Sequence, residues 1–598
     1  MTVPMQRKII PLLVALAAAC GPPSPTQPVV PPLTPKPIAP QPKPEPQVKS
    51  DDAAIEKAGH EFVDLLASIS PETATQLGLH EHDADLDDRT LAGFEQNVAR
   101  EEKMLGDLKA RFPDPHASRA SLTDLAIMEH TLAVDVRVKR AQDPLRRKPD
   151  AYADAMNAIF LMTARDYAPA EVRAKNALAR IEKLPAQLEE AKKNLVPAAG
   201  GRWAPKVWTQ VGIEAASGAK QFFDDERAPL ESALPGDKDR VEKALKAAQK
   251  AYAEYKQFLE KKVLPHGGDD YAAGPELFDF LLKQDFFLTE GASDLVAMGQ
   301  RIFDRTDAQM TELAKKIDPK AKGWPEVVAK IKSHHPTAKD LLPSYRKELA
   351  RARQFLVDKD VVTLPPGDQC DVIETPPFQR TTITAAYDQP PPFDKVTKGL
   401  FFVTPVDMSA SKSVQEAMLR ENDHGDEVDT ATHEAYPGHH LQLSIARRNP
   451  SVVRKATGPA IFAEGWALYA EELMSELGMY SDEERMMQLE WTLVRAARIL
   501  IDVGIHTQGM TFDKAVAFLT TKVHLERPLA LSEVKRYTET PTQPSSYLVG
   551  REKILAMRER AKKEWGAGFT LKRFHDELLS HGTIAPGLVE QEMFRTGP

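Results

Sequence analysis

Residues 241–259, VEKALKAAQKAYAEYKQFL, set Val241, Leu245, Ala248, Tyr252, Tyr255 and Leu259 at steps of four and three, with charged side chains filling the gaps. That spacing is one apolar stripe along an amphipathic helix. Asp237 stands where an N-cap belongs, and Pro265 with Gly267 predicts the end. Val172, Leu178, Ile181, Leu184 and Leu188 give a second stripe, which Pro185 is predicted to bend. Helical signals of this kind run from about Asp51 to Leu356, with no internal repeat. The stripes read as ordinary core.

The patterning changes between Val361 and Val406. The runs Thr381-Thr382-Ile383-Thr384-Ala385-Ala386-Tyr387 and Gly399-Leu400-Phe401-Phe402-Val403-Thr404 are β-branched and aromatic, and prolines bound both. They predict short strands in a small sheet. Helical patterning returns from about Glu427 to the end. The fold class expected is therefore mainly α, with a small β-sheet just ahead of the most histidine-rich segment.

The amino-terminal end predicts an address rather than structure. Arg7 and Lys8 precede an apolar run, Ile9 to Ala19, too short to span a bilayer. It ends Leu16-Ala17-Ala18-Ala19-Cys20, small residues before a cysteine in the manner of a bacterial lipobox. Cleavage before Cys20 and acylation of its thiol would anchor the chain by more than one acyl chain. Gly21 follows the cysteine, so nothing resembles an inner-membrane retention signal. Gly21 to Val48 holds twelve prolines in 28 residues, a composition that favours extended polyproline II over any packed core. The expected organisation is a lipoprotein signal over 1–20, a proline-rich linker over 21–50 and a helical domain over 51–598, with a subdivision considered near 356–406. The expected location is the outer membrane, with the domain in the periplasm or at the cell surface.

Composition narrows the partners. The 598 residues carry a net charge of -9, with acidic and basic side chains interleaved. No basic stripe stands out, which argues against nucleic acid. Cys20 and Cys370 are the two cysteines. With Cys20 acylated, Cys370 has no partner for a disulfide. Asp368 and Asp371 beside Cys370 disfavour its thiolate and hence a nucleophilic role.

The chemistry concentrates in His433-Glu434-Ala435-Tyr436-Pro437-Gly438-His439-His440; four of the 16 histidines lie between His424 and His440. His-Glu followed by a nearby His suits a helix-borne metallohydrolase site, in which neutral imidazoles hold Zn²⁺ and the glutamate takes a proton from water. The common form places the second His four residues on, but position 437 is Pro. At about 100° per residue, a regular helix would bring His440 nearly back in line with His433, and His439 to about 240° around. Pro437 clashes with the carbonyl of His433 and Gly438 adds freedom, so the helix should break or bulge here. Helical arithmetic then leaves His439 and His440 both open.

The string Thr432 to Gln442 resembles the hallmark of the bacterial DUF885 family, whose members are large, mostly helical and often secreted or lipid-anchored, and are related in fold to helical gluzincin metallopeptidases. Ser70 to Gly78 with His80 and Asp83, Glu464 to Glu471, Arg495 to Gly509, and Tyr547 with Gly550 resemble further family motifs, so the likeness runs from about 55 to 595. It implies a motif His-Glu-x-x-Pro-Gly-His in which His439 is the ligand and His440 a neighbour. Glu464 lies 31 residues past His433, early in a helix expected after Gly458-Pro459, and is the expected third ligand. A fourth position is left for water. Glu471, two turns on, is placed to orient a ligand. His506 and Tyr547 are candidate donors to a developing oxyanion, with Asp502 placed to fix the His506 tautomer. His80 with Asp83 is a weaker candidate, and His334, His335, His575 and His581 read as surface or packing residues.

The expectation is a one-zinc hydrolase of peptides, with His433, His439 and Glu464 on the metal and Glu434 as general base. The strand from Gly399 to Thr404 is expected to offer a backbone edge to an extended peptide. Two other readings stand beside it: a non-catalytic surface lipoprotein that binds a metal or ligand, and a metal hydrolase of non-peptide amides or esters.

Overall fold

The computed structural model describes residues 50–380 and 384–594. Cys20, the leader and the proline-rich segment lie outside the described residues, as do positions 381–383 of the first expected strand. From Ser50 onward the chain packs as one unit, built almost wholly of helices with one three-stranded sheet. Among the described residues no helix is long and apolar enough to cross a membrane.

Apolar periodicity has done what it should. Val241, Leu245, Ala248, Tyr252, Tyr255 and Leu259 are all buried on a helix over Lys238–Phe258 that continues through a π-turn and a 3-10 turn to His266, so Gly267 does end it. Asp237 precedes this helix but its side chain makes no capping hydrogen bond. In the second stripe Leu178, Ile181, Leu184 and Leu188 are fully buried inside Ala170–Asn194, with Pro185 within the helix. Val172 is a correction: it lies in the first turn and is exposed, before the helix reaches its neighbours.

The sheet has the order β1 (Gln369–Glu374), β3 (Lys398–Val403), β2 (Ala385–Asp388). β1 runs parallel to β3 with Val372 opposite Phe401, and β2 runs antiparallel with Tyr387 opposite Phe401. β3 is therefore the middle strand, with its backbone paired on both sides. The expectation that it offers an edge to a peptide is overturned, because Leu400 to Val403 are the most buried part of the sheet and are covered by partners. β1 and β2 are the edges.

Four helices position the functional residues other than His439: His424–Glu434, Ala460–Glu476, Asp482–Gln508 and Gln543–Trp565. The second and fourth pack unusually close through facing glycines. A Cβ on Gly550 would stand 1.9 Å from the Ile461 carbonyl oxygen, and one on Gly465 would stand 2.5 Å from the Gly550 backbone. Glu464 and Tyr547 flank that crossing. The third helix opens with a Ser481–Glu484 capping box and is buried on nearly every face. Six of its buried polar side chains, Gln488, Thr492, Arg495, Arg498, Asp502 and His506, recur at three- and four-residue steps and form an internal polar stripe, with Glu490 buried off that line.

Candidate metal centre

The helix carrying His433 stops at Glu434, and a new one begins at His439. Pro437, after a cis peptide bond, ends the first. Gly438 makes the reversal: a Cβ there would lie 1.8 Å from the His433 carbonyl oxygen, so only glycine fits. Its N–H donates to the Thr432 carbonyl at 3.0 Å. Trp466, fully buried, donates Nε1–H to the Pro437 carbonyl at 2.8 Å and pins the turn to the helix that carries Glu464.

This turn brings His439, and not His440, to His433. The rings of His433 and His439 lie 4.7 Å apart at 90°. Nε2 of His433 is 3.4 Å from Glu464 Oε2, and Nε2 of His439 is 3.3 Å from the same oxygen. Donor atoms of the three side chains all lie within 4.8 Å of one another. His440 points the other way. It is fully buried between the hydroxyls of Tyr387, 2.9 Å from Nδ1, and Tyr436, 3.1 Å from Nε2, with Tyr436 in turn donating to Asp368 at 2.5 Å. Both ring nitrogens of His440 are spent on that network.

The donor set fits a metal ion. Glu464 Oε2 is buried yet has no hydrogen-bond partner among the described residues, although two imidazole nitrogens face it. Ligand atoms about 2.0–2.1 Å from a tetrahedral zinc would stand about 3.3–3.4 Å apart, the spacing found here between each imidazole and Glu464. Two imidazoles and one carboxylate are also a common catalytic zinc set, with a position left for water. Burial pushes the Glu464 carboxyl up, but the facing imidazoles outweigh it and hold the group well below the usual carboxylate range. Burial likewise depresses His433, and the carboxylates of Glu464 and Glu471 outweigh it in the opposite direction. Glu471, fully buried, accepts from His433 Nδ1 at 2.7 Å and so turns Nε2 toward the cluster.

His433 and Glu434 open on a cavity of about 250 Å³, which Tyr547, Arg495, Arg498, Arg536 and Glu471 also line. The Tyr547 ring stacks at 6.3 Å and 19° on His433. His506 is not on this cavity. Its Nε2 lies 2.9 Å from the Tyr537 carbonyl and its Nδ1 accepts the Ala273 N–H at 3.0 Å. Asp502 does not orient it: Asp502 accepts from Ser545 at 2.6 Å and from the Thr542 N–H at 3.2 Å, and stands 3.7 Å from the His506 ring. Burial keeps His506 neutral down to about 4. The structure thus makes His506 a packing residue, because its helix turns it into the core and two backbone groups consume both nitrogens. His80 and Asp83 pair at 3.0 Å far along the chain, stacked on Tyr167 at 3.6 Å, in a packing cluster of their own. Cys370 is free; burial and then Asp371 push its thiol up.

A family model described as a bacterial protein of unknown function, DUF885, matches residues 71–593. The chain belongs to the DUF885 family. Two solved structures share its fold over nearly their whole length. One, a candidate lipoprotein of unknown function from Shewanella oneidensis, is 26% identical, with 90% of this chain and 99% of that one covered and a TM-score of 0.72. The other, a candidate lipoprotein from Colwellia psychrerythraea, is 18% identical, with 91% and 98% covered and a TM-score of 0.76. No curated protein matches the sequence.

Arg495, Arg498, Arg536 and Glu533 are cavity residues that the sequence of this family member did not single out. For Arg495 and Arg498 the available signal was the polar stripe on Asp482–Gln508, charged side chains at helical spacing in a segment whose other faces are apolar. Such a stripe reads equally well as a solvated face until burial is known.

Proposed function

We propose that this chain is a zinc-dependent hydrolase that cleaves peptide bonds. What supports the reading is one arrangement: His433, His439 and Glu464 bring ligand atoms within 4.8 Å of one another, with Glu464 Oε2 buried and without a hydrogen bond among the described residues, and Glu434 shares a cavity with His433. One zinc ion would be held there by His433 Nε2, His439 Nε2 and Glu464 Oε2. When bound, zinc supplies Lewis acidity toward the scissile carbonyl and acidifies water. Glu434 takes the proton of the attacking water and passes it to the leaving amine. Tyr547, stacked beside His433, donates its hydroxyl hydrogen to the developing oxyanion. Glu471 holds His433 in the ligating orientation. Thr384 and Ala385 line the cavity, and β2 is an edge strand, so its outer backbone is where an extended substrate would pair. The gluzincin likeness belongs to this proposal, as does an outer-membrane location with lipid on Cys20. Cys20→Ser should move the protein from the membrane to the soluble fraction; a wild-type chain already soluble and unacylated would refute the anchor.

Glu434→Gln keeps shape and removes the base. It should retain zinc and thermal stability yet lose cleavage of a peptide library by at least about 10²-fold. A zinc-loaded wild type that cleaves no peptide would refute the peptidase reading and favour a non-catalytic binding protein or a hydrolase of other amides and esters.

A further inference from the structure

One wall of the cavity beside His433 and Glu434 is made of arginines whose hydrogen bonds are incomplete. Arg536 is engaged, with Nη1 donating to Gln543 at 2.6 Å and Nη2 to Glu533 at 3.3 Å. Arg498 gives Nε and Nη2 to Glu533 at 2.9 and 2.8 Å, which leaves Nη1 without a hydrogen-bond partner among the described residues. Arg495 approaches Glu471 only at 3.8 Å through Nη2, and its Nε and Nη1 have no hydrogen-bond partner among the described residues. The two side chains are 9% and 6% exposed, Arg495 first. A guanidinium that deeply buried, with N–H groups unspent, is costly unless something in the cavity accepts from it.

The acids on the same cavity do not fill that need. Glu533 is committed to Arg498 and Tyr537, Glu421 to Lys332, Asp426 to Trp491 and Asp429 to the Tyr480 hydroxyl; Glu471 gives Oε1 to His433 and comes no closer to Arg495 than 3.8 Å, and Glu434 is the proposed base. The unspent donors therefore await an external acceptor. The planar fork of a guanidinium matches the two oxygens of a carboxylate. They also lie close to the metal cluster. Arg498 Cζ is 4.6 Å and Arg495 Cζ 5.9 Å from the Tyr547 ring, whose centre is 6.3 Å from that of His433. That is a reach of about one to three extended residues. The cavity, at about 250 Å³, is below the ordinary range of about 300–1,000 Å³ for ligand clefts and suits a chain end better than a chain passing through.

We infer that Arg495 and Arg498 take the C-terminal carboxylate of a peptide, so that the enzyme is a carboxypeptidase releasing a short C-terminal unit. The inference rests on the peptidase reading for its position relative to the scissile bond. Water adds its hydroxyl to the acyl carbon, the C–N bond breaks, and the released amino acid or dipeptide gains the proton on its amine.

The test separates binding from turnover. Zinc-loaded full-length Glu434→Gln is titrated calorimetrically with tetra-alanine and with tetra-alanine carboxamide. The acid should bind at least about tenfold tighter than the amide. Arg495→Gln, added to that background, should bring the ratio toward one while leaving bound zinc and Tm near those of the parent. Arg498→Lys, which keeps charge but loses the fork and spares Glu533 a lone burial, should lower the ratio part-way. Equal affinities for acid and amide, no binding of the acid at millimolar concentration, or a ratio indifferent to Arg495→Gln would overturn the inference. Wild type that cuts the amide as fast as the acid would overturn it too, while leaving the peptidase reading intact. Wild type that cuts neither, with the binding preference and its loss in Arg495→Gln preserved, would sink the peptidase reading and support the carboxylate site.

Discussion

His433 and His575 are both buried histidines on helices, and Trp466 stands between their two regions, pinning the Pro437 turn on one side and meeting His575 edge to face at 5.6 Å on the other. They differ in what their nitrogens face. His575 has Nδ1 2.7 Å from the Val361 carbonyl and Nε2 2.7 Å from the Tyr469 hydroxyl, so nothing is left over. His433 spends Nδ1 on Glu471 and keeps Nε2 turned toward Glu464 and His439. Burial alone lowers the affinity of an imidazole for a proton, and His575 follows that rule, held down to about 4. His433 does not, because two carboxylates face it. A histidine is marked as functional here by an unspent donor atom with further unspent donors around it, and not by its depth.

The contrast is sharpest at His575, where a change of pH should expose it. In the unfolded chain the ring takes a proton near its ordinary 6.5, whereas the folded protein refuses it down to about 4. The neutral ring's contribution to stability is therefore complete above 6.5 and is lost as pH falls through that window. Between pH 7.5 and 4.5 the wild type should lose about 2–3 kcal/mol more stability than His575→Gln, since each tenfold change in proton affinity is worth about 1.4 kcal/mol. Denaturant unfolding at the two pH values checks this; identical losses in both proteins would mean that His575 is not held neutral.

A smaller effect is expected at Glu471. It touches the metal cluster only through His433 Nδ1, so Glu471→Gln should leave the donor set in place and weaken zinc by about 10–100-fold, measured by chelator competition. An unchanged affinity would reduce Glu471 to a partner of Arg495 alone.

Much of the fold was legible because helical stripes are long and their period is distinct. The strands were legible in part: β3 carries an aromatic run and β2 takes up the Ala385–Tyr387 end of the other expected run, but β1, Gln369–Glu374, is an edge with Val372 as its one buried residue and gave no such signal. In the site, a local motif named His433, Glu434 and His439, and spacing with the family resemblance added Glu464; the structure brings His433, His439 and Glu464 together and puts Glu434 on a cavity with His433. The same sequence could not rank His506, since a histidine on the inner face of a helix looks alike whether it meets a ligand or a carbonyl oxygen. Arg495 and Arg498 were missed for the converse reason, a charge at helical spacing being ordinary until its burial is known.

The Pro437-Gly438 turn decides the donor set, sending His439 to the cluster and His440 to the Tyr387–Tyr436 network. Zinc bound per chain, measured by elemental analysis after dialysis of wild type, His439→Ala and His440→Gln, tests that division most directly. The wild type should hold one equivalent, His440→Gln should hold nearly as much, and His439→Ala should fall to background. Zinc lost from His440→Gln and kept by His439→Ala would contradict it.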